Sequence, residues 1–330
     1  MNSRHDVFSP SRILLIFFIT LFGVFVVAAN TIADFDGDGK SDVSVFRRSN
    51  GYWYILKSSG GTLFVRWGLQ NDVPVPGDYD GDGKADIAVY RYGDFNNELY
   101  DSFYYILRSS DNSFFFKQFG RTTGFVFDIP TLPADFDGDG KTDFAAYEGK
   151  DIFASPVRYS ILQSSTNSIV SAQWGHNADR HVPADYDGDG KADLAVCRTF
   201  IFPGGNLSQA IWYILQSSNN SVRVEHFGLP SDQFVPADYT GDGKTDIAVW
   251  RPSNGFWYRI NSNDNSFTQS QFGLSGDKPV PADYDGDNKT DVAVFRPSDG
   301  IWYLQKSTEG FAAQPFGLAS DVPIPNTLTR

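Results

Sequence analysis

The chain of 330 residues is poor in cysteine, glutamate and methionine, and the first two shortages narrow the possible structures. The single cysteine, Cys197, cannot form an intramolecular disulfide, so stability has to come from another source. Only 4 of the 40 acidic residues are Glu; the other 36 are Asp, which competes with the helix backbone and prefers turns. With 31 Gly and 16% aromatic residues, this composition favours short strands and tight turns over a mainly helical protein.

Basic residues are also few. The 27 Lys and Arg against 40 acidic residues give a formal net charge of −13. We expect no nucleic-acid partner, because phosphate backbones are bound by clustered Lys and Arg. The acidic balance is compatible with cation binding.

The first 29 residues have the layout of an export signal. A polar stretch extends to Arg12, and the uncharged apolar run from Ile13 ends at two small residues, Ala28 and Ala29. We predict a signal peptide over residues 1–29, with an uncleaved membrane anchor as the alternative, and a mature domain over 30–330. The expected location is secreted, or at the cell surface or in the periplasm, with membrane contact only if the segment stays uncleaved.

An Asp-rich loop occurs six times and divides the chain into repeats. Its first copy spans residues 34–42 with the sequence DFDGDGKSD. A short apolar strand follows each loop, then an aromatic strand such as 53–56, then a strand that ends in an aromatic residue and Gly. A short proline-bearing segment, such as 73–76, precedes the next loop. The six copies begin at Asp34, Asp78, Asp135, Asp185, Asp238 and Asp283.

Four short strands in a repeat of about 49 residues are typical of a propeller blade. The proline segment fits the innermost strand, because proline cannot donate to a neighbouring strand and is confined to sheet edges. The predicted order from the channel outward is the proline strand, the strand after the Asp loop, the aromatic strand and the aromatic-Gly strand.

The two ends of the repeat region complement each other. Residues 30–33 are too few for a complete first strand, whereas residues 321–325 are a proline segment with no Asp loop after it. We predict that this tail completes the first blade and that the fold is an all-β, six-bladed β-propeller. Seven blades is the alternative count. An open β-solenoid or two small sandwiches are the alternative folds, but neither explains complementary ends.

The Asp loops predict calcium sites. Carboxylates at loop positions 1, 3, 5 and 9 and the backbone carbonyl of Lys at position 7 can converge on one hard cation, and Gly at position 6 permits the turn. Oxygen ligands without His or Cys favour calcium over zinc or copper, and magnesium prefers to keep its waters. A lone Asp-Gly turn is common hairpin punctuation, but six copies of the whole pattern argue for metal. The predicted ligands are Asp34, Asp36, Asp38, Lys40 and Asp42; Asp78, Asp80, Asp82, Lys84 and Asp86; Asp135, Asp137, Asp139, Lys141 and Asp143; Asp185, Asp187, Asp189, Lys191 and Asp193; Asp238, Thr240, Asp242, Lys244 and Asp246; and Asp283, Asp285, Asp287, Lys289 and Asp291.

Two loops depart from the pattern. Thr240 replaces Asp at position 3 of the fifth loop, which should weaken or empty that site. Asn288 replaces Gly at position 6 of the sixth loop, where Asn still tolerates a left-handed backbone. We therefore expect up to six calcium ions, with the fifth site weakened, in the structural role that disulfides cannot take.

These motifs resemble a known family. The Asp loops, pairs such as Phe272-Gly273 and turns such as Pro281-Ala282-Asp283 are similar to FG-GAP or VCBS-type repeats over essentially all of residues 30–330. The resemblance implies a β-propeller like those of integrin α-chain head domains and certain calcium-containing lectins, with calcium in the first hairpin loop of each blade. The chain departs from integrin-like propellers in its count, since those have seven blades and six loops are present here.

The turn between the second and third strands is short in three blades and long in the other three. Blades one, five and six use turns such as residues 253–255, whereas blades two, three and four use residues 92–103, 149–157 and 199–210. We expect these insertions on the face opposite the calcium loops, where aromatic residues suit carbohydrate or protein recognition; neutral insertions are the alternative. The candidate ligand face comprises Tyr92, Phe95, Tyr100, Phe103, Phe153, Phe200 and Phe202.

Other candidates are interpreted mainly as structural. Cys197 occupies a core slot, and His176 and His181 flank one inter-blade connection, where a solvated loop is favoured over an acid–base pair acting on a glycan. An Arg ends the second strand of five blades, with Glu148 in the third, and this recurrence favours an inter-blade hydrogen bond. The five are Arg47, Arg91, Arg198, Arg251 and Arg296.

The sequence therefore predicts an exported calcium-binding β-propeller that acts as a non-catalytic binding or adhesion module for a glycan or an extracellular protein. The alternative is a polysaccharide-active enzyme, such as a lyase, with a His or Tyr base beside the channel. The sequence contains no nucleophile–base motif and no catalytic zinc pattern, which favours binding over catalysis.

Overall fold

The computed structural model describes residues 33–93, 100–122, 129–130, 134–148, 156–201 and 205–324. These residues form 24 strands and no helix, arranged as six four-stranded antiparallel sheets. Accordingly, none of them forms a helix that could span a membrane. The predicted signal peptide, residues 1–29, lies outside the described residues.

The six sheets are the blades of a propeller, numbered here along the chain. Blade one contains β1 (Val43–Arg47), β2 (Tyr52–Leu56), β3 (Thr62–Arg66) and, from the tail, β24 (Val322–Pro323). Blade two contains β4 (Val73–Pro74), β5 (Ile87–Arg91), β6 (Tyr100–Leu107) and β7 (Phe114–Thr122), and blade three contains β8 (Ile129–Pro130), β9 (Phe144–Glu148), β10 (Pro156–Leu162) and β11 (Ile169–His176). Blade four contains β12 (Arg180–His181), β13 (Leu194–Ile201), β14 (Gly205–Leu215) and β15 (Val222–His226). Blade five contains β16 (Gln233–Phe234), β17 (Ile247–Arg251), β18 (Phe256–Ile260) and β19 (Phe267–Gln271), and blade six contains β20 (Lys278–Pro279), β21 (Val292–Arg296), β22 (Ile301–Lys306) and β23 (Gly310–Pro315).

The strand order within the blades confirms the prediction. Each blade runs from its short first strand, through the strand that follows the Asp loop and the aromatic strand, to the fourth strand. In blade one the tail strand β24 pairs with β1, with Val322 opposite Phe46 and Pro323 opposite Val45. The tail therefore closes the ring, and the count of six blades is confirmed.

Neighbouring blades pack through separate apolar clusters. Between blades one and two, Phe46 and Trp53 pack with Ile87 and Val89, and all four are buried. Trp suits this position because its indole N–H can still find a backbone acceptor: Trp53 Nε1 donates to the carbonyl of Trp67 at 2.7 Å. The same bond joins Trp212 to Phe227, Trp257 to Phe272 and Trp302 to Phe316.

Steric crowding explains the glycine of the aromatic-Gly pair. Gly68 has a φ of 129°, and a Cβ placed there would lie 3.0 Å from Cζ of Phe46 in the core. A side chain at this position would therefore be strained and crowded. This explains why the aromatic strand-end is followed by Gly.

The topology separates two faces of the propeller. In each blade the Asp loop precedes the second strand and the turn to the third strand follows it, so the two lie at opposite ends of that strand. The described residues at the base of the insertions of blades two, three and four therefore lie on the face opposite the Asp loops. Cys197 is fully buried in the core of blade four, which confirms its predicted place.

Candidate metal centre and ligand face

Each Asp loop folds around the carboxylate at its first position. In the first loop, Asp34 Oδ1 accepts the N–H of Gly37 at 2.6 Å and Oδ2 accepts the N–H of Gly39 at 2.9 Å. The position-6 residue has a left-handed backbone, with φ of 84° at Gly39 and 64° at Asn288. Asn288 donates the equivalent bond to Asp283 Oδ2 at 2.8 Å, so the prediction that Asn is tolerated there is confirmed.

The carboxylate at position 9 joins the loop to the turn between the third and fourth strands of its blade. Asp42 is fully buried; its Oδ2 accepts the N–H of Phe35 at 2.9 Å and its Oδ1 accepts the N–H of Ser58 at 2.7 Å. The pattern recurs in the other loops, for example at Asp86 with Tyr79 and Ser109.

In the carboxylate at position 3, one oxygen accepts a hydrogen bond and the other has no hydrogen-bond partner in three of the loops. Asp36 Oδ2 accepts the hydroxyl of Ser59 at 2.5 Å, whereas its Oδ1 is buried without a hydrogen-bond partner. The same oxygen is buried without a partner at Asp137 and Asp285. A buried carboxylate oxygen can only accept, so it is costly unless a donor or a cation meets it.

In five of the six loops, carboxylate oxygens from positions 1, 3 and 9 lie within 4.8 Å of one another. Among the described residues the fifth loop, with Thr240 at position 3, forms no such group. There the hydroxyl of Ser262 bonds Asp246 Oδ1 at 2.7 Å and Asp242 Oδ1 at 3.0 Å. The five groups are Asp34, Asp36 and Asp42; Asp78, Asp80 and Asp86; Asp135, Asp137 and Asp143; Asp185, Asp187 and Asp193; and Asp283, Asp285 and Asp291.

Position 5 is arranged differently from the other three. Asp38 Oδ1 accepts the N–H of Lys40 at 3.0 Å and Oδ2 accepts the hydroxyl of Ser58 at 2.8 Å, and it lies outside the three-carboxylate group. Equivalent bonds hold the position-5 Asp in the other loops. Ligation by position 5 and by the position-7 carbonyl stays a prediction.

The electrostatics of the loops favour a bound cation. In the five loops that have a three-carboxylate group, the pKa of the position-9 carboxyl is raised from 3.8 to about 6. Burial is the main cause and the charge of the position-3 Asp adds to it, whereas hydrogen bonds to the carboxylate act in the opposite direction. These carboxyls belong to Asp42, Asp86, Asp143, Asp193 and Asp291. Burial also raises the pKa of the position-1 carboxyl, as in Asp34. A positive ion among the three carboxylates would reverse this penalty. The all-oxygen donor set fits a hard cation such as calcium.

Sequence reasoning did not include in the site the Ser residues of the turn between the third and fourth strands. Ser58 and Ser59, in the turn between β2 and β3, bind the carboxylates at positions 5, 9 and 3. The signal was present in the sequence as a pair of hydroxyl residues after most aromatic strands. These pairs are Ser58-Ser59, Ser109-Ser110, Ser164-Ser165, Ser217-Ser218 and Ser307-Thr308.

Comparison with known proteins agrees with this architecture. Residues 34–89 and 238–294, each containing two Asp loops and the strands between them, match the model of the FG-GAP-like repeat family. The chain is an FG-GAP-repeat β-propeller. No curated protein matches the chain in sequence.

Solved structures similar to the FG-GAP propeller share little of its sequence. An ACO/RPE65 chimera is 10% identical, with 83% of this chain and 70% of that chain covered and a TM-score of 0.45. A catalytically inactive virginiamycin B lyase from Staphylococcus aureus is 8% identical (78% and 94% covered, TM-score 0.41), and a hypothetical selenium-binding protein from Sulfolobus tokodaii is 10% identical (90% and 80% covered, TM-score 0.39). Similarities this distant carry no argument about what the FG-GAP propeller binds or does.

The recurrent Arg does not bridge blades as predicted. In blade five of the FG-GAP propeller, Arg251 binds both carboxylate oxygens of Asp232 at 2.8 and 2.9 Å, and its guanidinium lies 4.4 Å from the ring centre of Tyr258. Asp232 precedes the first strand of the same blade and also accepts the N–H of Leu229. The prediction is wrong because the pair ties the second strand to the connection that enters its own blade. Equivalent pairs are Arg47–Asp321, Arg91–Asp72, Arg198–Asp179 and Arg296–Asp277.

The described part of the candidate ligand face is partly packed into the propeller. Tyr92 contacts the ring of Tyr90 edge-on at 5.3 Å, and Phe103 lies 6.0 Å from Tyr105. Phe200 belongs to a hairpin in which β13 and β14 extend beyond the blade, and it pairs with Asn206. Phe95, Phe153 and Phe202 and the side chains of Tyr100 and Glu148 lie outside the described residues.

His181 is not in a solvated loop, so that prediction is wrong. It takes the place that Pro74 holds in blade two, on the innermost strand β12. Its ring stacks on Tyr147 with centroids 3.8 Å apart, and its Nδ1 is bonded to the hydroxyl of Tyr159. Burial lowers the pKa of His181 to about 4, so the ring is neutral at pH 7 and Tyr159 donates.

Proposed function

We propose that the protein is an exported, calcium-binding β-propeller that serves as a non-catalytic binding module for a glycan or an extracellular protein. The observation that carries the calcium part is the buried, unpartnered carboxylate oxygen of Asp36, Asp137 and Asp285, each within a group of three carboxylates. Among the described residues, no Lys or Arg forms an ion pair with these groups.

Calcium suits the groups better than other common cations. It accepts six to eight oxygen ligands in irregular geometry, so it can use carboxylates that also hold backbone N–H groups. Zinc and copper sites favour His and Cys, and the groups contain neither. Magnesium demands near-octahedral geometry and gives up its waters reluctantly.

The proposed role of calcium is structural. The three carboxylates of a site bind both the loop backbone and the turn between the third and fourth strands, as Asp42 does with Phe35 and Ser58. At millimolar calcium and a dissociation constant of about 0.1 mM, each site adds roughly 1.4 kcal/mol to the stability. Five such sites would add about 7 kcal/mol, which is comparable to the whole stability of many domains.

Isothermal titration of calcium into the calcium-depleted protein tests this proposal. We expect five sites of comparable affinity, and a Tm about 10 °C higher with millimolar calcium than with excess chelator. Magnesium at the same concentration serves as the control and should bind more weakly. No binding heat together with equal Tm values in calcium and chelator would refute the proposal.

The proposed ligand face is built by the insertions of blades two, three and four. Support comes from topology: the described residues at the base of the insertions lie on the face opposite the Asp loops, and the pairing of β13 with β14 carries Phe200 beyond the blade. The buried, hydrogen-bonded state of His181 gives no support to the lyase alternative with this residue as base.

A glycan array tests the ligand proposal, with the bound sugars analysed for cleavage. The proposal would be supported if the unaltered protein retains intact sugars and a three-turn variant does not. In that variant, residues 92–103, 149–157 and 199–210 are each replaced by Ser-Asn-Gly. Unchanged retention by the three-turn variant would contradict the proposed face, and new unsaturated sugar ends would identify a lyase. The amino-terminal residue of the exported protein, expected to be Asn30, tests the signal peptide.

A further inference from the structure

The six Asp loops are hydrogen-bonded to one another in a closed ring. The backbone N–H at position 8 of each loop donates to the backbone carbonyl at position 1 of the preceding loop, at 2.6–2.7 Å. The last bond, from Ser41 to Asp283, joins the first loop to the sixth and completes the circle. The other five are Ala85 to Asp34, Thr142 to Asp78, Ala192 to Asp135, Thr245 to Asp185 and Thr290 to Asp238.

A side-chain contact accompanies every one of these bonds. The Lys at position 7 of each loop lies across the Gly at position 4 of the preceding loop, so that a Cβ on Gly37 would meet Lys84 Cε at 2.9 Å. At one junction the ammonium group is also bonded: Lys141 Nζ donates to the carbonyl of Asp80 at 3.0 Å. The other Gly–Lys pairs are Gly81–Lys141, Gly138–Lys191, Gly188–Lys244, Gly241–Lys289 and Gly286–Lys40.

The junctions connect residues of the carboxylate groups directly. The acceptor Asp34 contributes its carboxylate to the group of the first loop, and the donor Ala85 immediately precedes Asp86, which contributes to the group of the second. An ion that orders Asp34 therefore also fixes the carbonyl that positions the backbone beside Asp86. A second ion then has less conformational entropy left to remove.

We propose that occupation of one Asp loop by calcium strengthens calcium binding in the two neighbouring loops. This inference rests on the proposed calcium binding. Charge acts in the opposite direction, because each bound ion makes the face less negative for the next. That effect is screened over a Debye length of about 8 Å at 0.15 M ionic strength, whereas the junction contacts are direct. The fifth loop lacks a carboxylate group, so the coupled sites form a run through loops six, one, two, three and four.

Native mass spectrometry of the protein, titrated with calcium from a volatile buffer of 0.15 M ionic strength, tests the coupling. Coupled sites deplete the species with two or three ions relative to the empty and fully loaded species. A binomial or narrower distribution, as independent or negatively coupled sites give, would overturn the inference and leave calcium binding intact. No bound calcium in any species would refute the calcium proposal itself, and the inference with it.

A matched pair of variants locates the coupling. Lys84→Ala alters the junction between loops one and two, both of which have carboxylate groups, whereas Lys244→Ala alters the junction between loop four and the fifth loop. Both remove one ammonium group and leave the position-7 carbonyl in place. We expect Lys84→Ala to lower the overall association constant for five ions by roughly fivefold relative to Lys244→Ala, the low end of ordinary site–site coupling. Equal effects of the two variants would overturn the assignment of the coupling to these junctions.

Discussion

Two sets of buried carboxylates recur at opposite ends of the second strand of a blade, and only one is paired with a cation of the chain. Asp232 represents the first set: its two carboxylate oxygens accept hydrogen bonds from Nε and Nη2 of Arg251. Asp36 represents the second: one oxygen binds a Ser hydroxyl and the other is buried without a partner. The same residue type is thus charge-balanced at one end of the strand and unbalanced at the other, and the Asp loops are the part that could hold an added ion.

The fifth loop supplies a comparison within the second set. Thr240 removes one carboxylate, and the Ser262 hydroxyl bonds both Asp242 and Asp246. The pKa of Asp246 is raised, mainly by burial, as in the other loops. The structure therefore contains one loop that is satisfied largely by hydrogen bonds beside five with clustered carboxylates.

The largest effect is expected from breaking a balanced pair. Arg251→Met leaves the carboxylate of Asp232 buried without its cation, which should lower the free energy of unfolding by about 3 kcal/mol. The loss should be the same with calcium and in calcium-depleted protein, as measured by urea unfolding. Arg66→Met, at an exposed position on β3, is the matched control and should change stability by less than about 0.5 kcal/mol. A loss that appears only with calcium would break the distinction between the two sets.

The pH dependence of stability should differ with and without calcium. The position-9 carboxyls have pKa values raised from 3.8 to about 6 in the folded protein, so it binds protons more tightly than the unfolded chain. The stability that the protonated position-9 carboxyls give to the folded protein is fully present below pH 3.8 and is lost as the pH rises through about 6. Calcium-depleted protein should therefore become more stable as the pH falls from 7 to 5.

Calcium should oppose this trend, because protons and calcium compete for the same oxygens. The difference between the urea midpoints of calcium-loaded and calcium-depleted protein should narrow from pH 7 to pH 5. Parallel curves in the two conditions would contradict the assignment of these carboxyls to the metal groups.

Exchange of the position-3 residue between loops should transfer a site. Thr240→Asp restores a third carboxylate in the fifth loop, and we expect a sixth calcium site worth roughly 1.4 kcal/mol at millimolar calcium. Asp36→Thr should remove one site and a similar amount of stability. Calorimetric stoichiometry and urea unfolding measure both changes. An unchanged number of sites in both variants would show that position 3 does not decide occupancy.

The smallest effect is expected from the Ser turn. Ser110→Ala removes the hydroxyl that donates to Asp80 Oδ2 at 2.6 Å, so we expect a loss of about 1 kcal/mol and weaker calcium binding in the second loop. Ser168→Ala, at an exposed position in the corresponding turn of blade three, is the control and should have no effect. Equal behaviour of the two variants would remove the turn from the site.

The architecture was predictable because it depends on short sequence patterns that repeat along the chain. Repeated Asp loops, proline segments and aromatic-Gly ends gave the blade and its strand order, and the complementary ends gave ring closure. The left-handed backbone at Asn288 also followed from local chemistry. Each of these inferences depends on residues close together in the chain or on a repeated unit.

The missed features depend on contacts distant in sequence. Ser59 meets Asp36 from 23 residues away, and Asp321 meets Arg47 from 274 residues away. His181 lies in a connection that looks solvated in sequence, but the neighbouring blade encloses it with Tyr147 and Tyr159. Patterns along one repeat do not reveal which side chain of another segment will fill the remaining space.

Crystals grown with calcium and measured by anomalous diffraction test the central claim most directly. The account predicts five calcium peaks, one among the position-1, position-3 and position-9 carboxylates of each grouped loop, at about 2.3–2.6 Å from their oxygens. It predicts no comparable peak in the loop of Thr240. Absence of peaks from the five groups, or a peak of equal height in the fifth loop, would contradict it.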